Sequence, residues 1–428
     1  MPFYWILTVL LFVLALPLLL WRQVRTDRYR GTLGQRFGLD LPPRPLNPSP
    51  LWLHAVSVGE VLAARDLARA LSRRFPRHPL LITTVTRTGM EVARREIPAA
   101  AGYRYLPLDL PGVVQRVVQR TNPCALILME TELWPGLIHA MAHRGRPVVV
   151  VNARLSPRSV RGYRRLRFLL RPAWGGLTAI LAQSPEDRTR FIDIGIPAHR
   201  VQVTGNLKFD RAGILPDAES MQELFQKMPP LADPVLLAAS THPGEEPAVL
   251  AAYGALRQIN PTWRLILVPR HPHRAAEVVH LVQAHGEPSQ LFSTLNGPWS
   301  TPVMVVDQVG WLYRLYGLAQ MVFVGGSLIP HGGQNPLEAA AWGLVPVFGP
   351  HTNNFHSITA TLLQQGAALR VADAAQLTST LCALAGDAQR RADLGKRARA
   401  VVKENQGALE RTLAHLEEIL TQQEGPCG

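Results

Sequence analysis

The chain runs twice through the same alternation of short apolar strands and amphipathic helices, which leaves few folds open to it. Leu51-Trp-Leu-His-Ala-Val56 reads as a buried strand, and Val61 to Phe75 as a helix whose apolar face carries Val61, Leu62, Leu67, Ala70 and Leu71. Strands follow at Leu80–Val85, Cys124–Met129, Pro147–Val151, Ala179–Ala182 and Val201–Val203, with helices expected from about Gly89 and from Trp134 to Arg144. Residues from about Asp210 to Asp233 have no strand pattern and are read as the interdomain linker. The alternation then restarts at Val235–Ala239, Arg264–Val268, Pro302–Val306, Met321–Val324 and Val345–Phe348, and a helical tail runs from Asp373 to about Leu420. Strands separated by helices make a doubly wound parallel sheet. The expected architecture is α/β: two Rossmann-like halves facing a cleft.

The densest local signal lies between the last two of those strands. Val322-Phe-Val-Gly-Gly-Ser-Leu-Ile-Pro-His-Gly-Gly-Gln-Asn-Pro-Leu-Glu338 reads as a strand, a glycine-rich loop and a helix opening at Pro336 with Asn335 as its cap. Gly325, Gly326, Gly332 and Gly333 are expected to turn with positive φ and to let the backbone approach a ligand. Such a helix start offers N–H groups to phosphate, and Glu338 can accept hydrogen bonds from ribose hydroxyls. This pattern favours a nucleotide over a packing-only crossover, without naming the nucleotide.

At 428 residues the chain has room for two or three domains, and 47% hydrophobic with 18% charged residues is the balance of a folded protein. Cys124, Cys382 and Cys427 are far apart and show no ligand spacing, which excludes a disulfide framework and a zinc ribbon. A formal charge of +14 asks for an anionic partner. Phe3 to Trp21 is almost wholly apolar and is followed by Arg22, Arg25, Arg28, Arg30 and Arg36. It reads as a retained membrane anchor, residues 1–22, kinked or made shallow by Pro17. By the positive-inside rule the following domain stays cytoplasmic, and the arginines would grip anionic headgroups. No aromatic-basic platform points to nucleic acid.

Four sets of polar residues sit at carboxyl ends of expected strands, where ligands collect in open α/β sheets. Ser57-Val-Gly-Glu60 offers Glu60 as a general base, or more plainly as a helix-capping acid. Glu130-Thr-Glu-Leu-Trp-Pro135 puts two carboxylates directly after a strand. Gly205-Asn-Leu-Lys-Phe-Asp210 offers Lys208 to developing charge, where a solvated lysine is the plainer reading. Pro269-Arg-His-Pro-His-Arg274 offers Arg270 for bidentate contact with phosphate. His271 and His273 lack a third metal ligand, and no Asp-x-Asp, P-loop or GxGxxG occurs in the chain. No metal and no cofactor is expected.

Taken together and in order, the anchor, Ser57–Glu60, Glu130–Pro135, Asn152-Ala-Arg-Leu-Ser156, Gly205–Asp210, Ser240-Thr-His-Pro-Gly-Glu-Glu246, Pro269–Pro272 and Gly332-Gly-Gln-Asn-Pro-Leu-Glu338 resemble the 3-deoxy-D-manno-octulosonic acid (Kdo) transferases of lipopolysaccharide biosynthesis. The likeness covers almost the whole chain. It implies a GT-B fold, with an acceptor-binding domain at 23–212 and a CMP-Kdo-binding domain at 213–428. It also implies inverting, metal-independent transfer of Kdo from CMP-Kdo to the lipid A precursor. By motif match Glu60 would be the base, and Glu130 and Lys208 would stabilise the transition state. Pro269, Arg270, Val309, Gly310, Trp311, Asn335, Pro336, Leu337 and Glu338 would bind CMP. Gln334 stands where the family usually has His, and Trp311 where it usually has Glu. Another nucleotide-sugar transferase, such as a UDP-GlcNAc enzyme, and a membrane-tethered binding protein are the competing readings.

Overall fold

The computed structural model describes residues 2–25 and 32–422. The chain divides into two compact units, Met1–Arg211 with Gln406–Gly428, and Ala212–Asn405. Among the described residues each unit is built on one seven-stranded sheet whose paired strands are parallel.

In the first unit the strands are β1 (Leu51–His54), β2 (Leu80–Thr84), β3 (Gly102–Tyr105), β4 (Ala125–Met129), β5 (Val148–Ala153), β6 (Ala179–Ala182) and β7 (Val201–Val203). Their order is β3-β2-β1-β4-β5-β6-β7, so the chain reverses its direction of travel between β1 and β4. Successive side chains of a strand face opposite sides. Leu126 and Leu128 enter one core with Trp52, and Ala125, Ile127 and Met129 enter the other with Leu51 and Leu53. Both sides are covered, which explains why the strands read as continuous apolar runs rather than alternating ones.

The second unit holds β8 (Val235–Thr241), β9 (Arg264–Pro269), β10 (Ser289–Leu291), β11 (Val303–Val305), β12 (Met321–Val324), β13 (Pro346–Phe348) and β14 (Leu369–Arg370). Its order is β10-β11-β9-β8-β12-β13-β14, with the reversal between β8 and β12. In open sheets the ligand crevice lies at this reversal, outside the carboxyl ends of the strands. The residues after β1 and β4, and those after β8 and β12, stand at these reversals.

The expected second domain ran to residue 428, but the helix Ala408–Thr421 packs into the first unit. Asp210 accepts the backbone N–H groups of Gly407 and Leu409, and Arg411 donates to the Thr204 carbonyl at 2.9 Å. Leu413, Leu416 and Leu420 complete the core that includes Leu51 and Ile127. Leu413→Ala is expected to cost about 2–5 kcal/mol, read as a lower urea midpoint. The expected linker contains the helix Ala218–Lys227.

The apolar amino-terminal run forms the helix Pro2–Arg25. Its start is held by the first unit: Tyr4 is buried, and its hydroxyl donates to Asp109 at 2.5 Å. The Trp5 ring lies where a side chain on Gly136 would stand, and Phe12 meets Phe37 edge-on at 5.8 Å. Phe3, Ile6, Leu10, Val13 and Leu14 are exposed. Among the described residues no helix is long and apolar enough to cross a membrane. The side chains of Arg22 and Arg25, and all of Arg28 and Arg30, lie outside the described residues. Arg36 is not available to headgroups: it is buried, donates to Thr32 Oγ1 and the Val85 carbonyl, and lies over the Tyr105 ring. Exposed arginines do cluster on the helices Pro157–Arg165 and Arg167–Trp174, beside Phe168, which is 89% exposed.

Candidate active site

Three carboxylates gather at the reversal of the first sheet. Glu60 lies in the first turn of the helix Val58–Arg74, which follows β1. Its side chain folds back on the turn before the helix. Oε2 accepts the Val56 N–H at 2.9 Å and Oε1 the Ser57 hydroxyl at 3.2 Å. Burial, helped by Glu130 and Glu132, outweighs those hydrogen bonds and lifts its pKa to about 7. Glu60 thus braces the turn before the helix rather than capping a helix N–H, and burial makes the braced carboxylate basic.

Glu130 follows β4 with φ of +55°, a left-handed conformation that costs a non-glycine residue energy and aims its side chain out of the strand line. It is buried, with Arg154 Nε at 2.6 Å from Oε2 and Lys208 Nζ at 3.4 Å from Oε1. Lys208 reaches it through a relay that sequence spacing does not reveal. Asn152, also at positive φ, accepts the Leu207 N–H at 3.1 Å, and Gln183 ties the Asn152 carbonyl to Asn206. The motifs at 152–156 and 205–210 are thus held together, and Lys208 is a paired lysine rather than a solvated one. Arg154 belonged to a quoted motif without a role; here it neutralises Glu130.

Glu132, two residues on, is half-buried and has a raised pKa, first from burial and further from Glu130. Trp134 Nε1 donates to it at 3.0 Å. His54, the last residue of β1, is fully buried and held neutral, its pKa lowered to about 3 by burial.

The second unit arranges its residues around another buried carboxylate. Glu245 accepts the backbone N–H groups of His242 at 3.0 Å, Gly326 at 2.6 Å, Ser327 at 2.9 Å and Leu328 at 3.0 Å. This adds an internal partner to the reading of the glycine loop. Its N–H groups after β12 cradle an anion, but that anion is the protein's own. Gly326, Gly332 and Gly333 have positive φ, whereas Gly325 does not; it is glycine because a side chain there would meet the Ser240 carbonyl at 2.6 Å. Gly325→Ala is expected to push the loop after β12 away from β8 and lower Tm, readable by calorimetry.

The neighbouring Glu246 is fully buried and pairs with Arg274 at 2.8 Å, anchoring the segment after β9. Arg270 stands exposed in that segment, its N–H tied to the Thr241 carbonyl at 2.9 Å, with His271 and His273 exposed beside it. Pro269 ends β9. The helix expected at Pro336 starts at Leu337 and has five residues; Asn335 accepts the Leu337 N–H and donates to Glu338. Gln334 meets His242 Nε2 at 3.0 Å, and the His331 ring lies 3.9 Å from that of His242. Val309 is 80% exposed and Gly310 has φ of +93°. Trp311 packs on Phe292 at 5.0 Å with the Arg314 guanidinium 4.8 Å from its ring. Gly325–Ser327, His242, Arg270 and Asn335–Glu338 all belong to segments after β8, β9 and β12. Among the described residues, no group of three or more His, Cys, Asp or Glu could hold a metal ion.

Residues 31–211 match the family model described as 3-deoxy-D-manno-octulosonic-acid transferase (Kdo transferase). The 3-deoxy-D-manno-octulosonic acid transferase of Haemophilus influenzae is 36% identical over 406 residues, 93% of each chain. The chain belongs to the Kdo transferase family. The Bordetella pertussis transferase, another member, is 37% identical over 388 residues, 88% of this chain and 89% of its own. Membership makes the chain a glycosyltransferase, as the ordered motifs led us to expect. Among solved structures, the UDP-GlcNAc 2-epimerase of Neisseria meningitidis bound to UDP-GlcNAc gives a TM-score of 0.60 at 14% identity, covering 86% of this chain and 100% of that one. Anabaena HepE in complex with UDP gives 0.56 at 17% identity, covering 87% and 100%. These likenesses concern the fold alone, two parallel-sheet α/β domains of the GT-B kind.

Proposed function

We propose that this member of the Kdo transferase family moves Kdo from CMP-Kdo to a hydroxyl of the lipid A precursor, with inversion at the anomeric carbon. The observation that carries the reading is Glu60, a carboxylate held by two hydrogen bonds and made basic by burial at the reversal of the first sheet. The Glu60 carboxylate takes the acceptor hydroxyl proton as that oxygen bonds to the anomeric carbon. The bond from that carbon to the phosphate oxygen breaks, and CMP leaves with the electron pair. Lys208 and Glu130, fixed against each other, stabilise the charge that develops. Arg270, Val309–Trp311 and Asn335–Glu338 bind CMP. The absence of an Asp-x-Asp motif supports transfer without a metal ion.

A base works only deprotonated, so kcat/KM for the acceptor should rise with pH, with a midpoint near 7, and fall away below it. CMP should raise the Tm of the protein and UDP should not; stabilisation by UDP instead would favour the UDP-sugar reading.

A lipid acceptor calls for a membrane-facing surface, and we place it on the first unit, at the cytoplasmic face of the inner membrane. The exposed apolar face of the helix Pro2–Arg25 and the exposed Arg158, Arg161, Arg164, Arg165, Arg167 and Arg171 beside Phe168 support it. The contacts of Tyr4, Trp5 and Phe12 favour an anchor lying along the first unit in one leaflet. Replacing Arg161, Arg164 and Arg165 by Glu should weaken binding to anionic vesicles at least tenfold, at about 1 kcal/mol per lost positive charge, without changing binding to zwitterionic ones.

A further inference from the structure

Hydrogen-bond capacity separates the three carboxylates of the first unit. Glu60 and Glu130 have both oxygens partnered inside the protein. Glu132 has one: Trp134 Nε1 donates to its Oε2, and among the described residues its Oε1 has no partner. A carboxylate can accept about four hydrogen bonds, so Glu132 keeps most of its capacity and is 23% exposed.

A second, independent irregularity points at the same place. His54 is fully buried and its Nε2 has no hydrogen-bond partner, although buried polar atoms nearly always find one. That nitrogen is aimed at Glu132 Oε2, 4.0 Å away. Its other nitrogen is engaged by Thr83, at 2.9 Å from Oγ1 and 3.1 Å from the carbonyl, and Thr83 Oγ1 in turn accepts from Trp52 Nε1 at 2.8 Å. The ring is therefore locked in orientation. In the Nε2–H tautomer that hydrogen is turned toward Glu132 Oε2, and at 4.0 Å the two atoms face each other without a hydrogen bond. The indole N–H thus holds Glu132 Oε2, the locked imidazole stands beside that oxygen without bonding it, and Oε1 keeps its acceptor capacity.

We propose that Glu132 is a second hydroxyl-binding residue of the acceptor site. It takes a hydrogen bond from a hydroxyl of the acceptor sugar other than the one Glu60 deprotonates, and His54 and Trp134 act as its positioning residues. Sugar hydroxyls are donors that a carboxylate accepts strongly, and Trp134, half-buried beside it, supplies the apolar surface that sugar rings pack on. Kdo-family membership leaves this residue without a role, and the inference rests on the proposed transfer to a glycolipid hydroxyl.

The test measures initial rates with CMP-Kdo and the purified acceptor glycolipid, for wild type, Glu132→Gln and Trp134→Phe, repeated with monodeoxy acceptors. Glu132→Gln should raise the acceptor KM about tenfold, as for loss of one hydrogen bond to a charged group, with the CMP-Kdo KM and Tm unchanged. Trp134→Phe, which keeps an aromatic face and removes the N–H, should raise the same KM by a smaller factor. One deoxy acceptor should lower wild-type kcat/KM to the level of Glu132→Gln and lower that variant no further. A rise in the CMP-Kdo KM, a uniform fall in kcat and Tm, or independent effects of the variant and every deoxy acceptor would overturn the assignment. Failure of wild type to form any Kdo-glycolipid would remove the underlying reading as well; normal wild-type turnover with an unchanged acceptor KM in Glu132→Gln would remove this inference alone.

Discussion

Glu60→Gln should lower kcat by about a thousandfold, within the span of general-base contributions, while CMP affinity stays at its wild-type value. The amide keeps the size of the side chain and an oxygen for the Val56 N–H, so the helix start after β1 should survive. What disappears is a group able to take a proton. The same substitution has a signed effect on stability. The folded-state pKa of Glu60 is raised from 4.5 to about 7, so its contribution to stability is fully present below pH 4.5 and is lost as pH rises through about 7. Wild type carries that loss at pH 8 and the variant does not. The Tm of Glu60→Gln should therefore gain on wild type between pH 4.5 and 7 and hold its advantage above. A variant that turned over at the wild-type rate would remove Glu60 from the mechanism, whatever the family.

Glu245→Gln should be the most damaging single-atom change in the second unit. Four backbone N–H groups converge on the two carboxylate oxygens, and an amide replaces one acceptor by a donor facing donors. Breaking a buried charged network of this kind costs about 3–5 kcal/mol. The loop after β12 would lose the anion that shapes it, and with it the path that leads into Asn335–Glu338. A Tm several degrees lower is expected, with CMP binding lost at temperatures where circular dichroism still reports a folded chain. Wild-type CMP affinity in this variant would show that the loop holds its shape without the carboxylate.

The two sheets were legible because their strands are buried on both faces and so read as unbroken apolar runs. Strands β3 and β10, half-buried along their whole length, and the two-residue β14 carry no such run and are not predicted. The same logic marked Glu60 and Glu130: acids immediately after buried strands of an α/β alternation stand at the ligand end of the sheet. What pairs with them was not legible. Lys208 meets Glu130 across 78 residues, and Glu245 meets Ser327 across 82, distances over which sequence spacing carries no geometry. The glycine loop shows the limit most plainly. Its glycines point to a ligand, but pattern alone does not reveal that the N–H groups of Gly326, Ser327 and Leu328 are taken by Glu245. The final helix was assigned to the nearer domain by sequence proximity, whereas Asp210 and three leucines draw it back to the first unit. His54 looked like one more residue of a buried strand; only its orphaned nitrogen sets it apart.

The most direct test of the account is the product formed from CMP-Kdo and tetra-acylated lipid A precursor by the full chain in vesicles, analysed by mass spectrometry with and without chelator. The account predicts a glycolipid heavier by a whole number of Kdo residues, in equal yield with chelator present, and none when a UDP-sugar replaces CMP-Kdo. A folded, CMP-binding wild type that forms no such product, or one that works only with a UDP-sugar, would contradict it.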